Sequence, residues 1–182
     1  MSKLKASAGL IAVLAIGGLA GCSSSSSKSS DVADNVRNTL KRSGFKDVSV
    51  SQDRDKGVVT LSGHVPADAD KAQAEAIAKS IAINQVVADE IAVLPQGAES
   101  DAGKINSDLD KGIEHNLDAA LVSQKLNGDV KYSVKNKVVT LTGTVDSDAS
   151  RAKAQDVATT VPYVAQVVNE LQVKGQKATS SN

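Results

Sequence analysis

Val58-Val59-Thr60-Leu61-Ser62-Gly63-His64-Val65 occurs a second time, with two changes, as Val138-Val139-Thr140-Leu141-Thr142-Gly143-Thr144-Val145. The copies lie 80 residues apart. At the same offset Ala69/Ala149, Ala74/Ala154, Ile77/Val157, Ala78/Ala158, Val87/Val167 and Glu90/Glu170 align without a gap. The chain therefore contains a duplicated unit. Within each phrase the apolar residues alternate with the period of a strand. Val59, Leu61, Gly63 and Val65 are expected to face the core, and Val58, Thr60, Ser62 and His64 the solvent. On the core face, Gly63 and Gly143 would let a helix approach the strand backbone closely.

Ahead of the first phrase, Val32, Val36 and Leu40 recur at helical spacing, with Ser30 or Asp31 as N-cap and Gly44 in the left-handed position that ends a helix. Phe45 is expected to fold back onto the core. Val48 and Val50 alternate with Ser49 and Ser51 in a strand, and Asp55-Lys56-Gly57 turns that strand into the signature phrase. After the phrase, Asp68 is a candidate cap for a helix whose buried stripe reads Ala69, Ala72, Ala76, Ile77, Ser80 and Ile81. Val87, Asp89, Ile91 and Val93 form a third strand. A strand-helix-strand connection favours parallel pairing of the second and third strands.

The second copy repeats the pattern with Leu109, Ile113, Leu117 and Leu121 on its first helix and Val130, Tyr132 and Val134 on its first strand. Lys135-Asn136-Lys137 forms a tighter turn, Asp146-Ser147-Asp148 caps the next helix, which buries Val157 and Val161, and Val167, Asn169, Leu171 and Val173 make the last strand. The expected fold is α+β: two tandem α-β-β-α-β units, each with two helices on one face of a three-stranded mixed sheet. Their boundaries fall at 31–94 and 107–173, with a linker at 95–106 and a polar tail at 174–182.

The chain has 182 residues with one Phe, two Tyr and no Trp, so both cores must be aliphatic. A unit of about 60 residues buries only about 60% of its unfolded surface, which makes each copy modestly stable or dependent on its twin. Lys3 and Lys5 precede an apolar run from Ala6 to Ala20, a signal-peptide pattern too short to span a bilayer comfortably. Without those two lysines, 19 basic side chains face 21 acidic ones, a net charge of −2. That balance offers no footprint for nucleic acid, so any anion site has to be local.

The run ends in Leu19-Ala20-Gly21-Cys22, which resembles the bacterial lipobox. The resemblance implies removal of residues 1–21, a thioether-linked diacylglyceryl group on Cys22 and, in many diderm bacteria, an added amide-linked acyl chain such as palmitate. Two or more chains suffice for stable anchoring, at about 0.8 kcal/mol per buried methylene. Ser23, standing where inner-membrane lipoproteins commonly carry aspartate, points to the outer membrane's periplasmic face. Residues 22–30, largely serine, read as a flexible tether.

The Val-Thr-Leu-Ser/Thr-Gly-X-Val phrase, the alanine-rich helix after it and the Val167-Val168-Asn169-Glu170-Leu171 ending resemble the BON domain. A lipobox followed by two such units is similar to the dual-BON outer-membrane lipoproteins. The family usually carries Gly-Val just before the last strand. This chain has Ile83-Asn84 and Tyr163-Val164 there, so its connectors are expected to differ. What the resemblance implies is recognition of anionic phospholipid headgroups in support of outer-membrane integrity under envelope and osmotic stress. Related proteins place that contact on the first helix of the second unit. Here that helix carries Asp108, Asp110, Glu114 and Asp118, so the site does not transfer to it.

The basic residues lie in the other copy: Arg37, Lys41, Arg42 and Lys46 are the candidate phospholipid-binding cluster, and Lys131, Lys135 and Lys137 a weaker second. An ordinary solvated helix face explains the first cluster equally well. A competing reading is a protein-interaction adaptor that docks an envelope assembly partner or peptidoglycan. His64 aligns with Thr144 and has no equivalent in the second unit, and His115 stands apart, so no catalytic triad or metal set can be assembled from them. Asp146-X-Asp148-X-Ser150 lacks the later residues of a calcium loop and is explained by capping. No enzyme activity and no cofactor are expected.

Overall fold

The structure, a computed structural model, describes residues 28–175. The apolar run, Cys22, the tether up to residue 27 and the tail from residue 176 lie outside the described residues. The first repeat comprises α1 (Ala33–Arg42), β1 (Val48–Asp53), β2 (Val58–Val65), α2 (Asp68–Ile81), β3 (Val86–Asp89) and β4 (Ala92–Val93). The second comprises α3 (Glu99–Ser123), β5 (Val130–Lys135), β6 (Val138–Val145), α4 (Asp148–Thr159), β7 (Gln166–Asn169) and β8 (Gln172–Val173). The signature phrase is the central strand of each sheet. β2 pairs antiparallel with β1 and parallel with β3 and β4, and β6 does the same with β5, β7 and β8. The third strand of each unit is thus one path broken at a kink. In the first repeat the Asp89 carboxylate accepts from the Ile91 backbone N–H at 3.2 Å, and in the second Asn169 does so from Leu171 at 3.2 Å.

The aliphatic cores form as the pattern implies. Val36, Leu40, Val59, Leu61 and Ile91 are fully buried in one, Leu117, Leu121, Val139, Leu141 and Leu171 in the other. α1 ends as expected: Gly44 sits at φ +96° and the Phe45 N–H reaches back to the Leu40 carbonyl at 3.0 Å, placing Phe45 in the core. In α3 Lys125 takes the left-handed position instead, at φ +58°, and Leu126 fills the place of Phe45.

Several expectations need correction. The buried stripe of α2 is Ala74 and Ala78, flanked by half-buried Ile77 and Ile81, whereas Ala69, Ala72, Ala76 and Ser80 are exposed. Alanine occurs all round this helix, so its position carries little directional information. The first helix is capped neither by Ser30 nor by Asp31: Val32 is the N-cap, and the Gln52 side-chain carbonyl accepts from the Val32 and Ala33 N–H groups at 3.1 and 3.2 Å. α2 has Ala67, not Asp68, as N-cap, without a side-chain cap, while Ser147 caps α4 by accepting from Ser150.

Gly63 and Gly143 make room for a strand, not a helix. Their φ values are +103° and +122°, and a Cβ would lie 2.0 Å from the Asp47 carbonyl oxygen and 2.2 Å from that of Asp129. The 95–106 segment is largely helical, since α3 starts at Glu99, eight residues before Ser107. Acidic Glu99 and Asp101 suit its positive N-terminal end, and its extra turns pack against β4.

Val58, expected on the solvent face, and its counterpart Val138 are each 2% exposed. With Val86, Ala88 and Val168 they form a third apolar cluster between the repeats. All five alternate with the residues that face the helices. The sheets therefore meet through their helix-free faces, and the helical layers point away from each other. Around this seam the Gln166 amide bonds the β3 backbone twice, accepting from the Asp89 N–H at 3.0 Å and donating to the Val87 carbonyl at 2.7 Å. Lys56, on the first hairpin, pairs with Glu170 at 2.6 Å, and Lys135, on the second, pairs with Glu90 at 3.2 Å. Each hairpin thus grips the glutamate that follows β3 or β7 in the other repeat.

Candidate functional site

The four basic residues assigned to the first repeat do not form one free cluster. Arg37 is spent on structure. Its guanidinium pairs with Asp34 one turn earlier and donates to the Val50 carbonyl on the outer edge of β1 at 2.9 Å. Such a side chain blunts an open sheet edge. Lys41, Arg42 and Lys46 are exposed at and beyond the last turn of α1. Arg42 donates to the Thr39 hydroxyl at 3.2 Å, and among the described residues no carboxylate pairs with any of the three. Cations at this end also offset the partial negative charge of the helix terminus.

The second group dissolves further. Lys135 is committed to Glu90 across the seam, Lys131 is exposed on the opposite side of β5 from the core, and Lys137 lies in a turn. That turn has two residues, Asn136 at φ +48° and Lys137 at φ +67°, the conformation that a two-residue hairpin loop demands. Asp110 of α3 holds it by accepting from both backbone N–H groups at 2.7 and 2.8 Å.

At the other end of α1 the structure assembles a clamp that no motif announced. Ser29 exchanges two bonds with Arg54: its N–H donates to the Arg54 carbonyl at 2.9 Å, and its carbonyl accepts from Arg54 Nε at 2.8 Å. The Ser30 carbonyl accepts from Gln52 Nε2 at 2.7 Å and from Gln85 Nε2 at 3.1 Å. Lys28 pairs with Asp55 at 3.4 Å. The described chain thus enters the first repeat pinned to the β1–β2 hairpin and to the residue just ahead of β3. Only the Gln52 side chain had a sequence signal, as a polar residue at the end of an alternating strand, and that signal did not say what it would hold.

The connectors before β3 and β7 resemble each other more than their sequences do. Gln85 N–H bonds the Ala82 carbonyl at 3.0 Å with Asn84 at φ +62°, and Val164 N–H bonds the Val161 carbonyl at 3.4 Å with Tyr163 at φ +68°. Both are tight turns whose third residue adopts the left-handed backbone that glycine favours, and the second begins at Val161, one residue earlier than the 80-residue offset from Ala82 would place it. They leave Ile83 70% and Tyr163 72% exposed.

Between the repeats, β4, α3 and the second hairpin border a groove of about 470 Å³ whose lining includes Leu94, Asn106, Asp110 and Glu114. In the first repeat Asp89 is buried beside Lys71, whose ammonium donates to the Asp89 and Ile91 carbonyls at 3.2 and 2.8 Å. Burial pushes the Asp89 carboxyl up from the ordinary carboxylate range, only partly countered by the Lys71 charge. Both histidines are exposed, and among the described residues no group of His, Cys, Asp and Glu is arranged to hold a metal ion. No helix among them is long and apolar enough to cross a membrane.

The chain is 30% identical over 137 residues to the osmotically-inducible protein Y of Escherichia coli (strain K12), covering 74% of this chain and 67% of that protein. Among solved structures it matches CdsD, a structural protein of the type III secretion system of Chlamydia trachomatis. The TM-score is 0.34 and the identity 14%, over 79% of this chain and 92% of that one. A second structure, of the CdsD C-terminal domain, gives a TM-score of 0.32 and 13% identity, over 79% and 97%. The BON domain itself is matched twice, over residues 28–95 and 109–175, the same two units that the duplicated strand organises. The chain belongs to the BON-domain family.

Proposed function

We propose that this protein is a non-enzymatic, lipid-anchored module on the periplasmic face of the outer membrane, where it binds anionic phospholipid and supports envelope integrity under osmotic stress. Membership of the BON family and likeness to an osmotically-inducible protein support the envelope role. Leu19-Ala20-Gly21-Cys22 at the end of an apolar run supports the anchor. The observation that carries lipid recognition is the exposed trio Lys41, Arg42 and Lys46, with no carboxylate partner among the described residues, whose other cations are largely paired. Lysine and arginine near an anionic surface contribute about 1 kcal/mol each.

The test uses protein lacking residues 1–22 and vesicles of phosphatidylglycerol or cardiolipin at moderate salt. Binding is expected, and replacing the trio by serine should weaken it by about a hundredfold, from three contributions of that size. Failure of the unaltered protein to sediment selects the adaptor reading, which the inter-repeat groove favours.

A further inference from the structure

We propose that the helical layer of the first repeat is the side that lies against the bilayer, with Ile83 entering the acyl boundary and Lys41, Arg42 and Lys46 meeting the phosphates. This orientation rests on the lipid-anchored reading above and adds to it which surface faces the membrane and what inserts. Three observations lead to it.

The first is where the anchor's chain arrives. Six peptide steps separate Cys22 from Lys28. Each step spans at most about 3.6 Å, so an acylated Cys22 keeps Lys28 within about 22 Å of the headgroups. The clamp then fixes residues 28–30 against the first hairpin and Gln85. Gln85 is the last residue of the turn that presents Ile83, so this exposed apolar side chain stands beside the anchor's point of entry. The charges there cancel as Lys28–Asp55, Arg54–Asp31 and Lys56–Glu170 pairs, which leaves Ile83 as the group with a reason to leave water.

The second is the distribution of charge. α1 and α2 pack side by side on one face of the sheet. α1, with ten residues, is about 15 Å long. The cations at its far end, which have no carboxylate partner among the described residues, and Ile83 beside its start therefore span one strip of a single layer. The corresponding layer of the second repeat exposes Asp108, Glu114 and Asp118 on α3, which an anionic surface repels.

The third is the seam. Because the sheets meet through their helix-free faces, the two helical layers point in opposite directions, and one bilayer can receive only one of them. Tyr163, the exposed residue of the equivalent turn, stands at the start of β7 beside the second hairpin. The first hairpin instead meets Glu170 past the end of that strand. A single membrane thus tests the two turns against each other.

The experiment reconstitutes the full acylated chain in phosphatidylglycerol-containing vesicles, with an environment-sensitive fluorophore on Ile83→Cys or, separately, on Tyr163→Cys. Cys22 is the only native cysteine, and acylation removes its thiol from labelling. The label at 83 should shift to the blue and be quenched by a lipid-borne quencher, while the label at 163 keeps its aqueous emission. Replacing Lys41, Arg42 and Lys46 by serine should return the label at 83 toward water. A label at 83 that stays aqueous on an acylated chain, or shielding of 163 in its place, overturns the orientation and leaves the anchor standing. Mass spectrometry showing an unmodified Cys22 sinks the anchored reading and the orientation with it.

Discussion

Replacing Gly63 by alanine adds one methyl group at a position where two independent costs meet. At φ +103° an L side chain is strained, which costs about 1–2 kcal/mol. The new Cβ would also sit 2.0 Å from the Asp47 carbonyl oxygen. That oxygen belongs to the backbone entering β1 and cannot rotate away, so the strands must part. Forcing extra volume into a packed site adds about 1–3 kcal/mol. The sum, about 2–5 kcal/mol, is a large fraction of the 5–15 kcal/mol that holds a typical domain together. Gly143→Ala should behave alike, with its Cβ 2.2 Å from the Asp129 carbonyl oxygen.

Gly112, within α3, provides the opposite case. A Cβ there has no heavy atom within 4 Å, so Gly112→Ala should stabilise by about 1 kcal/mol through helix propensity. Urea denaturation followed by far-ultraviolet circular dichroism measures all three, since the chain lacks tryptophan. If Gly63→Ala lies within about 0.5 kcal/mol of the unaltered protein, the size expected of an innocuous surface change, the close-approach account is wrong.

Lys137→Gly should stabilise the protein by about 1 kcal/mol, because it relieves a left-handed lysine and leaves Asn-Gly in a two-residue hairpin; a lowered thermal midpoint contradicts this. Asp89→Asn should raise the midpoint at neutral pH, since asparagine can keep the bond from Ile91 as Asn169 does from Leu171. The folded Asp89 carboxyl titrates above its unfolded counterpart. Its contribution is therefore favourable below the unfolded value and is lost as pH rises through the folded one, so the advantage of this substitution should vanish on acidification. Gln166→Ala leaves the Asp89 N–H and the Val87 carbonyl without their partner at the seam, at about 1–3 kcal/mol for each buried group, read as a lower urea midpoint. Lys56→Met strands Glu170 beside the seam, and a double-mutant cycle with Glu170→Gln should show coupling above about 0.5 kcal/mol.

The duplicated strand was legible because two physical patterns coincide in it: alternation fixes a strand, and recurrence at a constant offset fixes a second domain. Helix α1 was equally plain from Val36 and Leu40. The α2 stripe was not, because alanine is tolerated both inside and outside and so marks no face. Val58 misled for a different reason. A valine on the helix-free face of a sheet signals burial against something, and one repeat considered alone contains nothing to bury it. The partner was the other repeat, through Val138 and Val168. The basic residues were visible as charges but not as bonds. Nothing in the sequence distinguishes Arg37, folded onto the β1 edge, from Arg42 five residues later. The clamp was hidden because Gln52, Arg54 and Gln85 act on backbone groups of residues far from them in the chain, and a carbonyl has no signature.

The reciprocal grip of the hairpins has a consequence for how the halves can diverge. In a homodimer built on the same isologous contact, every side chain would have to serve at both of its symmetry-related places. Joined in one chain, the equivalent places are Val86 and Gln166: an oily plug on one flank, an amide that stitches the neighbour's backbone on the other. Covalent fusion thus lifts the demand of self-complementarity, and one flank can turn cationic while its twin turns acidic without either spoiling the joint.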